Sequence, residues 1–179
     1  MTMLRHFIIV IVSGLIWNCK PKPPSKNSNS GSLTPFFGEW ESACLLKTFE
    51  GRSMGLKAKI SIFPRGFKLV THHYHRTDCQ DPMFSETHEG TLEINSNKPL
   101  LRIEKVAMAL VDDYLVNEYQ KNSILGLNWQ KGLNVRVPNT PRPGQENLGV
   151  IRVGASKALE FFPGSTEFKG MPMVFLKDR

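Results

Sequence analysis

From Phe36 to Arg179 the chain alternates apolar and polar residues with a period of two, and this restricts it to folds built from half-buried strands. In "LKAKISIF", Leu56, Ala58, Ile60 and Ile62 fall on one face and Lys57, Lys59 and Ser61 on the other. "TLEIN" sets Leu92 and Ile94 against Thr91 and Glu93, and "LNVRV" sets Leu133, Val135 and Val137 against Asn134 and Arg136. Successive strand side chains point to opposite sides, so each run has one face for a core and one for water. The runs are punctuated by turn formers: Pro64-Arg65-Gly66, Asp81-Pro82, Ser96-Asn97-Lys98-Pro99, "PNTPRPGQEN" and Pro163-Gly164. Many short strands at near-regular spacing imply an all-β, antiparallel sandwich or barrel.

One segment departs from this period. "VDDYLVNEYQKN" places Val111, Leu115, Val116 and Tyr119 at helical spacing behind Asp112 or Asp113 as N-cap, which suggests a short helix near 111–121 lying across a barrel end. Two strand ends are the other reading of the same residues.

The start of the chain has a different character. "MTMLRH" supplies Arg5 and no acid, and "FIIVIVSGLIW" then runs from Phe7 to Trp17 without a charge, as a basic region followed by the apolar region of an export signal does. Crossing the roughly 30 Å of bilayer hydrocarbon takes roughly 20 apolar residues, so this run is too short for a spanning anchor. It stops at Cys19 and gives way to lysine, proline, serine and asparagine, the composition of a solvated tether. "LIWNC" resembles the lipobox of bacterial lipoproteins, with Asn18 and Trp17 larger than the usual residues before the cysteine. The resemblance implies lipid attachment at Cys19. A plain secretory signal with an incidental cysteine is the competing reading. The expected organisation is a signal peptide over 1–18, a lipidated cysteine and flexible tether over 19–34, and one β-domain over 35–179, whose length of about 145 residues suffices for a single core.

The balance of 23 Lys+Arg against 16 Asp+Glu is spread along the chain without a basic stripe or interleaved aromatics, so nucleic acid is not an expected partner. With Cys19 given to lipid, Cys44 and Cys79 are an even pair in an oxidising compartment, where a disulfide is the default. Two free thiols or a metal pair are the alternatives, both weaker because no Cys-x-x-Cys or Cys/His spacing accompanies them.

"FFGEWESAC" is similar to the opening strand of lipocalins and their relatives, marked by Gly-x-Trp, here Gly38-Glu39-Trp40. The order of this segment, a lysine-rich strand, "FKLVTHHYHRTDC" and a Gly-Thr-Leu-Glu-Ile strand resembles poorly characterised bacterial envelope lipoproteins with lipocalin-like barrels, in which two cysteines stand where Cys44 and Cys79 do. The likeness covers Phe36 to Ile94, with "LNWQKGLNV" a weaker echo. It implies an up-and-down barrel of eight or somewhat more strands, with Gly38 and Trp40 packing one end and a basic residue of the last strand, Lys177 or Arg179, set against the tryptophan. It also implies room for one small, mainly apolar ligand, to be lined by inward residues such as Ile60, Ile62, Leu69 and Leu92.

"THHYH" puts His73 and His75 on one face of a strand and His72 on the other, with His88 one strand later. His73, His75 and His88 could share a metal. No carboxylate pattern completes such a site, and histidines at the surface or barrel mouth are the favoured reading, with no metal or other cofactor expected. Asp112 and Asp113 are adjacent and diverge, so they make a poor acid/base pair. No nucleophile elbow or phosphate-cradling loop is present, and an enzyme has no positive support. The expected function is that of a membrane-anchored lipoprotein of the bacterial envelope, with the outer membrane favoured, binding a small apolar or amphiphilic ligand in its barrel. The alternative is a structural or interaction lipoprotein with a filled barrel and an unknown protein partner.

Overall fold

The computed structural model describes residues 33–49, 51–95, 98–141, 146–163 and 173–177. The expected signal peptide, Cys19 and nearly all of the tether lie outside them, as does Arg179. Among the described residues no helix is long and apolar enough to cross a membrane.

A short 3-10 turn at Thr34–Phe36 leads into β1 (Gly38–Ser42), β2 (Leu45–Phe49), β3 (Arg52–Phe63), β4 (Gly66–Tyr74), β5 (Pro82–Asn95) and β6 (Lys98–Leu110). Helix α1 (Asp113–Lys121) follows, then β7 (Val135–Arg136), β8 (Asn147–Val153), β9 (Leu159–Pro163) and β10 (Met173–Lys177). Strands β1, β3, β4, β5, β6, β8, β9 and β10 pair antiparallel in an unbroken circuit, because β1 pairs with β10 on one edge and with β3 on the other. The expected all-β up-and-down barrel is therefore a closed one of eight strands. Closure leaves no free edge in the circuit for another chain to pair with. The remaining two strands are accessory: β2 extends the β3 hairpin, and β7 pairs with β6 alone.

Strand β3 follows the alternation of its sequence. Leu56, Ala58, Ile60 and Ile62 are buried, and the lysines between them reach acids on β1, Lys57 to Glu41 at 2.5 Å and Lys59 to Glu39 at 2.7 Å. Between β1 and β2 the ladder gives way to a side chain, as buried Ser42 accepts the Ala58 N–H at 2.9 Å and donates to the Ala43 carbonyl at 2.8 Å. This meets the backbone's hydrogen-bonding need where the strand breaks. In "LNVRV" the alternation holds from Val135 onward: Val135–Arg136 pairs with β6, the Val137 N–H donates to the Val106 carbonyl at 3.0 Å and Val137 is buried, whereas Leu133 is 48% exposed. Leu133 follows directly on the Lys131-Gly132 turn, before the segment joins the ladder.

At one end of the barrel, buried Trp40 donates its indole N–H to the Phe36 carbonyl at 2.9 Å, and the Lys177 ammonium stands 5.5 Å from the centre of its ring. Trp40 and Lys177 are register partners, so the cation over the ring follows from the closing ladder. Gly38 adopts φ +126°, a value L side chains rarely take, and an added Cβ would press on the Lys177 side chain at 3.2 Å. Around Trp40 lies an apolar cluster that includes Ile60, Phe67, Leu101, Ile151, Phe161 and Phe175.

The other end is covered by α1. Asp112 caps the helix by accepting the Leu115 N–H at 2.9 Å, and Leu115, Val116 and Tyr119 are buried, so the helical reading of "VDDYLVNEYQKN" holds. They pack with Met83, Phe84, Met108, Leu110 and fully buried Trp129 in a second cluster. Tyr119 meets Trp129 edge to face, ring centres 5.2 Å apart, and the Trp129 indole donates to the Ile124 carbonyl at 2.9 Å.

The Sγ atoms of Cys44 and Cys79 lie 2.08 Å apart, at disulfide distance, tying the β1–β2 break to the β4–β5 loop at this helix end. Gly55 is required there: a Cβ would sit 2.4 Å from the Arg76 carbonyl oxygen and 3.0 Å from Cys79 Sγ. The bond spans 35 positions of sequence, and the chain-entropy relation gives it about 4 kcal/mol of stability. Urea unfolding of Cys44→Ala/Cys79→Ala beside the oxidised protein is expected to show a loss of that order; equal midpoints would show that the bond constrains neither state.

Candidate functional site

The interior is not apolar throughout. Along the seam between the two clusters, the inward faces of β4 and β5 carry His73, Glu86 and His88. Register sets their positions: His73 lies between Leu56 on β3 and Phe84 on β5, Glu86 between Thr71 and Met108, and His88 between Leu69 and Val106. The His73 ring stacks on Phe84 with centres 4.2 Å apart, and the residue is only 5% exposed. Its Nε2 is 3.8 Å from Glu86 Oε2, an ion-pair distance too long for a hydrogen bond.

Three atoms of this seam are buried without a hydrogen-bond partner: Nδ1 and Nε2 of His73, and Nδ1 of His88. Buried polar groups are nearly always satisfied, and each one left unpaired costs about 1–3 kcal/mol. Thr71 and Ala58 share the rung of Glu86, so short side chains face it from β4 and β3. The Glu86 side chain keeps 19% of its exposure, and Thr71 and His88 beside it are half-buried, so the seam is less sealed here than at Phe84 or Met108.

Electrostatics bind the group together. Burial opposes the charge on Glu86, but His73, His88 and Lys47 outweigh it and hold the carboxyl below the usual carboxylate range. Burial pushes the His88 imidazole below its ordinary value, against the pull of Glu86. Tyr119 of the helix is raised to about 12 by burial and by the same Glu86 charge, which places its phenol, as the neutral acid, within the field of the seam.

The structure separates residues that the sequence grouped. His75 does not share the face of His73: the β4–β5 register shifts after His73, β4 ends at Tyr74, and His75 lies 3.0 Å from Asp112, the helix cap. The metal trio of His73, His75 and His88 is therefore not assembled, and among the described residues no group of three His, Cys, Asp or Glu side chains is placed to hold a metal ion. The reading of these histidines as surface or mouth residues is corrected for His73, which is buried, and the His88 Nδ1 is likewise sealed, whereas His75 is exposed as that reading expects. Asp112 and Asp113 diverge as expected, Asp112 to the cap and His75, and Asp113 to Lys131 at 2.7 Å.

Ile60, Ile62 and Leu69 belong to the packed Trp40 cluster and Leu92 borders it, so these four form an apolar floor. Glu86 was not legible beforehand. "FSETH" is polar at Ser85, Glu86, Thr87 and His88, so period two identifies no inward face, and only pairing with β4 turns Glu86 toward His73.

Compared with protein-family models and with curated proteins, the chain finds no match. Fold and seam together define a class, a closed eight-stranded up-and-down barrel with an ionisable polar seam between two apolar clusters.

Acid should weaken this arrangement. The folded state favours neutral His88, so as pH falls the unfolded chain binds that proton first; the contribution is complete above 6.5 and declines below it. Glu86, depressed in the fold, adds a second loss as pH falls below its ordinary 4.5. Urea midpoints compared between about pH 7 and about pH 5 should fall less in His88→Gln than in the parent protein. Superimposable profiles would remove His88 as the source.

Proposed function

We propose that this protein is a lipid-anchored lipoprotein of the bacterial envelope, related to lipocalin-like barrels, that holds a small amphiphilic molecule between its apolar floor and the helix end. The carrying observation is the set of orphaned nitrogens on His73 and His88, in a barrel whose Glu86 is still reached by solvent. A barrel meant only to be filled would bury apolar side chains at these positions, avoiding the cost of unpaired polar atoms. The Gly38, Trp40 and Lys177 contacts support the family resemblance, and the run ending at Cys19 supports the anchor. Since Leu33 lies at the Trp40 end, a tether from Cys19 would join the barrel there and leave the helix end pointing away from its attachment.

A second reading, an interaction barrel, draws on Leu46 and Leu176, which are 71% and 66% exposed on the outer wall. Native mass spectrometry of the exported protein, gently isolated and compared with its denatured mass, distinguishes the two. A native excess that vanishes on denaturation is expected; bare protein from several different extracts would favour the interaction barrel.

A further inference from the structure

We infer that the Trp40 end of the barrel is a docking face for an anionic lipid surface, with Arg65, Lys98, Lys157 and Lys177 as its charges and Phe63 and Ile94 as its apolar tips. The inference draws on the envelope reading only for the anchor at Cys19.

Topology collects these residues. Strand direction alternates around the closed circuit, so the start of β1, the β3-to-β4, β5-to-β6 and β8-to-β9 connections and the end of β10 all lie at one end. Each of the last four brings one exposed cation: Arg65 in the turn after β3, Lys98 at the start of β6, Lys157 in the turn after β8, and Lys177 at the end of β10. Lys177 stands over the Trp40 ring, and Arg65, Lys98 and Lys157 have no acid partner among the described residues. The acids Glu39, Glu93 and Glu160, on strands that reach this end, are already paired with Lys59, Arg102 and Arg152. The opposite end mixes signs, with Asp78, Asp113 and Glu118 standing among Arg76, Lys121 and Lys131. The unpaired positive charge is therefore concentrated at one pole of the barrel.

The same pole presents apolar side chains. Phe63, the last residue of β3, is 46% exposed, and Ile94, near the end of β5, is 42% exposed. Cations attract an anionic headgroup layer, and apolar tips set among them can enter its boundary with the acyl chains. The chain arrives at this pole too, through Leu33, and between Cys19 and Gly38 it carries Lys20, Lys22 and Lys26 and no acid. A lipid at Cys19 would hold this end near a bilayer, and the basic face would then lay the barrel against it with the helix end outward. Stable attachment commonly combines a lipid with such a basic patch.

The test uses the full chain exported with Cys19→Ala, so that no attached lipid holds it, and measures co-sedimentation with vesicles of phosphatidylcholine alone or with about one third phosphatidylglycerol. Binding to the anionic vesicles is expected at about 0.01 M salt and should weaken toward 0.15 M, as the screening length falls from roughly 30 to roughly 8 Å. Arg65→Gln/Lys98→Gln/Lys157→Gln should weaken it about a hundredfold, near fivefold for each charge. Arg52→Gln/Lys121→Gln/Arg136→Gln removes the same net charge away from this pole and should change it less than about threefold. Ser156→Lys, in the exposed turn after β8, should strengthen it about fivefold without disturbing any packing. Phe63→Asn/Ile94→Asn should weaken vesicle binding while leaving retention on heparin unchanged. The tether lysines are common to all these chains, so the differences report on the barrel.

Equal binding to neutral and anionic vesicles, equal losses in the two triple variants, or no binding at low salt would each overturn the docking face. So would vesicle binding indifferent to Phe63→Asn/Ile94→Asn and no tighter than binding to heparin, which would make this end a site for soluble polyanions. The anchor is read separately from the mass of the parent protein: a parent without lipid whose barrel still binds anionic vesicles would remove the anchor and uphold the face.

Discussion

The structure depends on the double pairing of β1. Five residues, Gly38 to Ser42, hydrogen-bond to β3 on one edge and β10 on the other, and this ladder turns a curled sheet into a barrel. Trp40 sits in both registers at once, opposite Ile60 and Lys177. Its ring joins the apolar cluster, its N–H holds the incoming chain through Phe36, and its outer neighbour is the lysine that stands over it. Gly38 and Trp40 are thus coupled parts of one closing device: the first permits the approach of β10, and the second uses it.

Closure at the Trp40 end leaves the opposite end to be finished by other means. Here the strands give way to α1, the accessory β7 and a loop held by the Cys44–Cys79 bond. The His75–Asp112 contact joins that loop to the helix cap, so the crosslinked loop and the helix are fastened to each other as well as to the barrel. The second apolar cluster grows from this cover and is separate from the first. Between two clusters with different origins there is a seam, and polar side chains can occupy it without breaking either core.

What occupies that seam gives the barrel its chemical character. His73, Glu86 and His88 are held at a depth where unpaired polar atoms are costly, and the field of Glu86 extends to the phenol of Tyr119 in the covering helix. A change in charge or occupancy at the seam would therefore be felt by the element that covers it.

The sequence by itself determined the strand period, the helix and its aspartate cap, and the divergence of Asp112 and Asp113, because each depends on contacts a few residues apart, and it marked β3's apolar face because only one of that strand's two faces is apolar. The pairing of Cys44 with Cys79 was legible from parity once Cys19 is set apart, and the tryptophan–lysine contact from resemblance. Tertiary structure alone decided the rest. The separation of His75 from His73 follows from a register shift at the end of β4, and the facing of Glu86 toward His73 follows from the pairing of two strands whose polar residues give no inward face away. Period two says that side chains alternate; which set looks inward is a property of the closed sheet, and where both sets are polar only closure can choose between them.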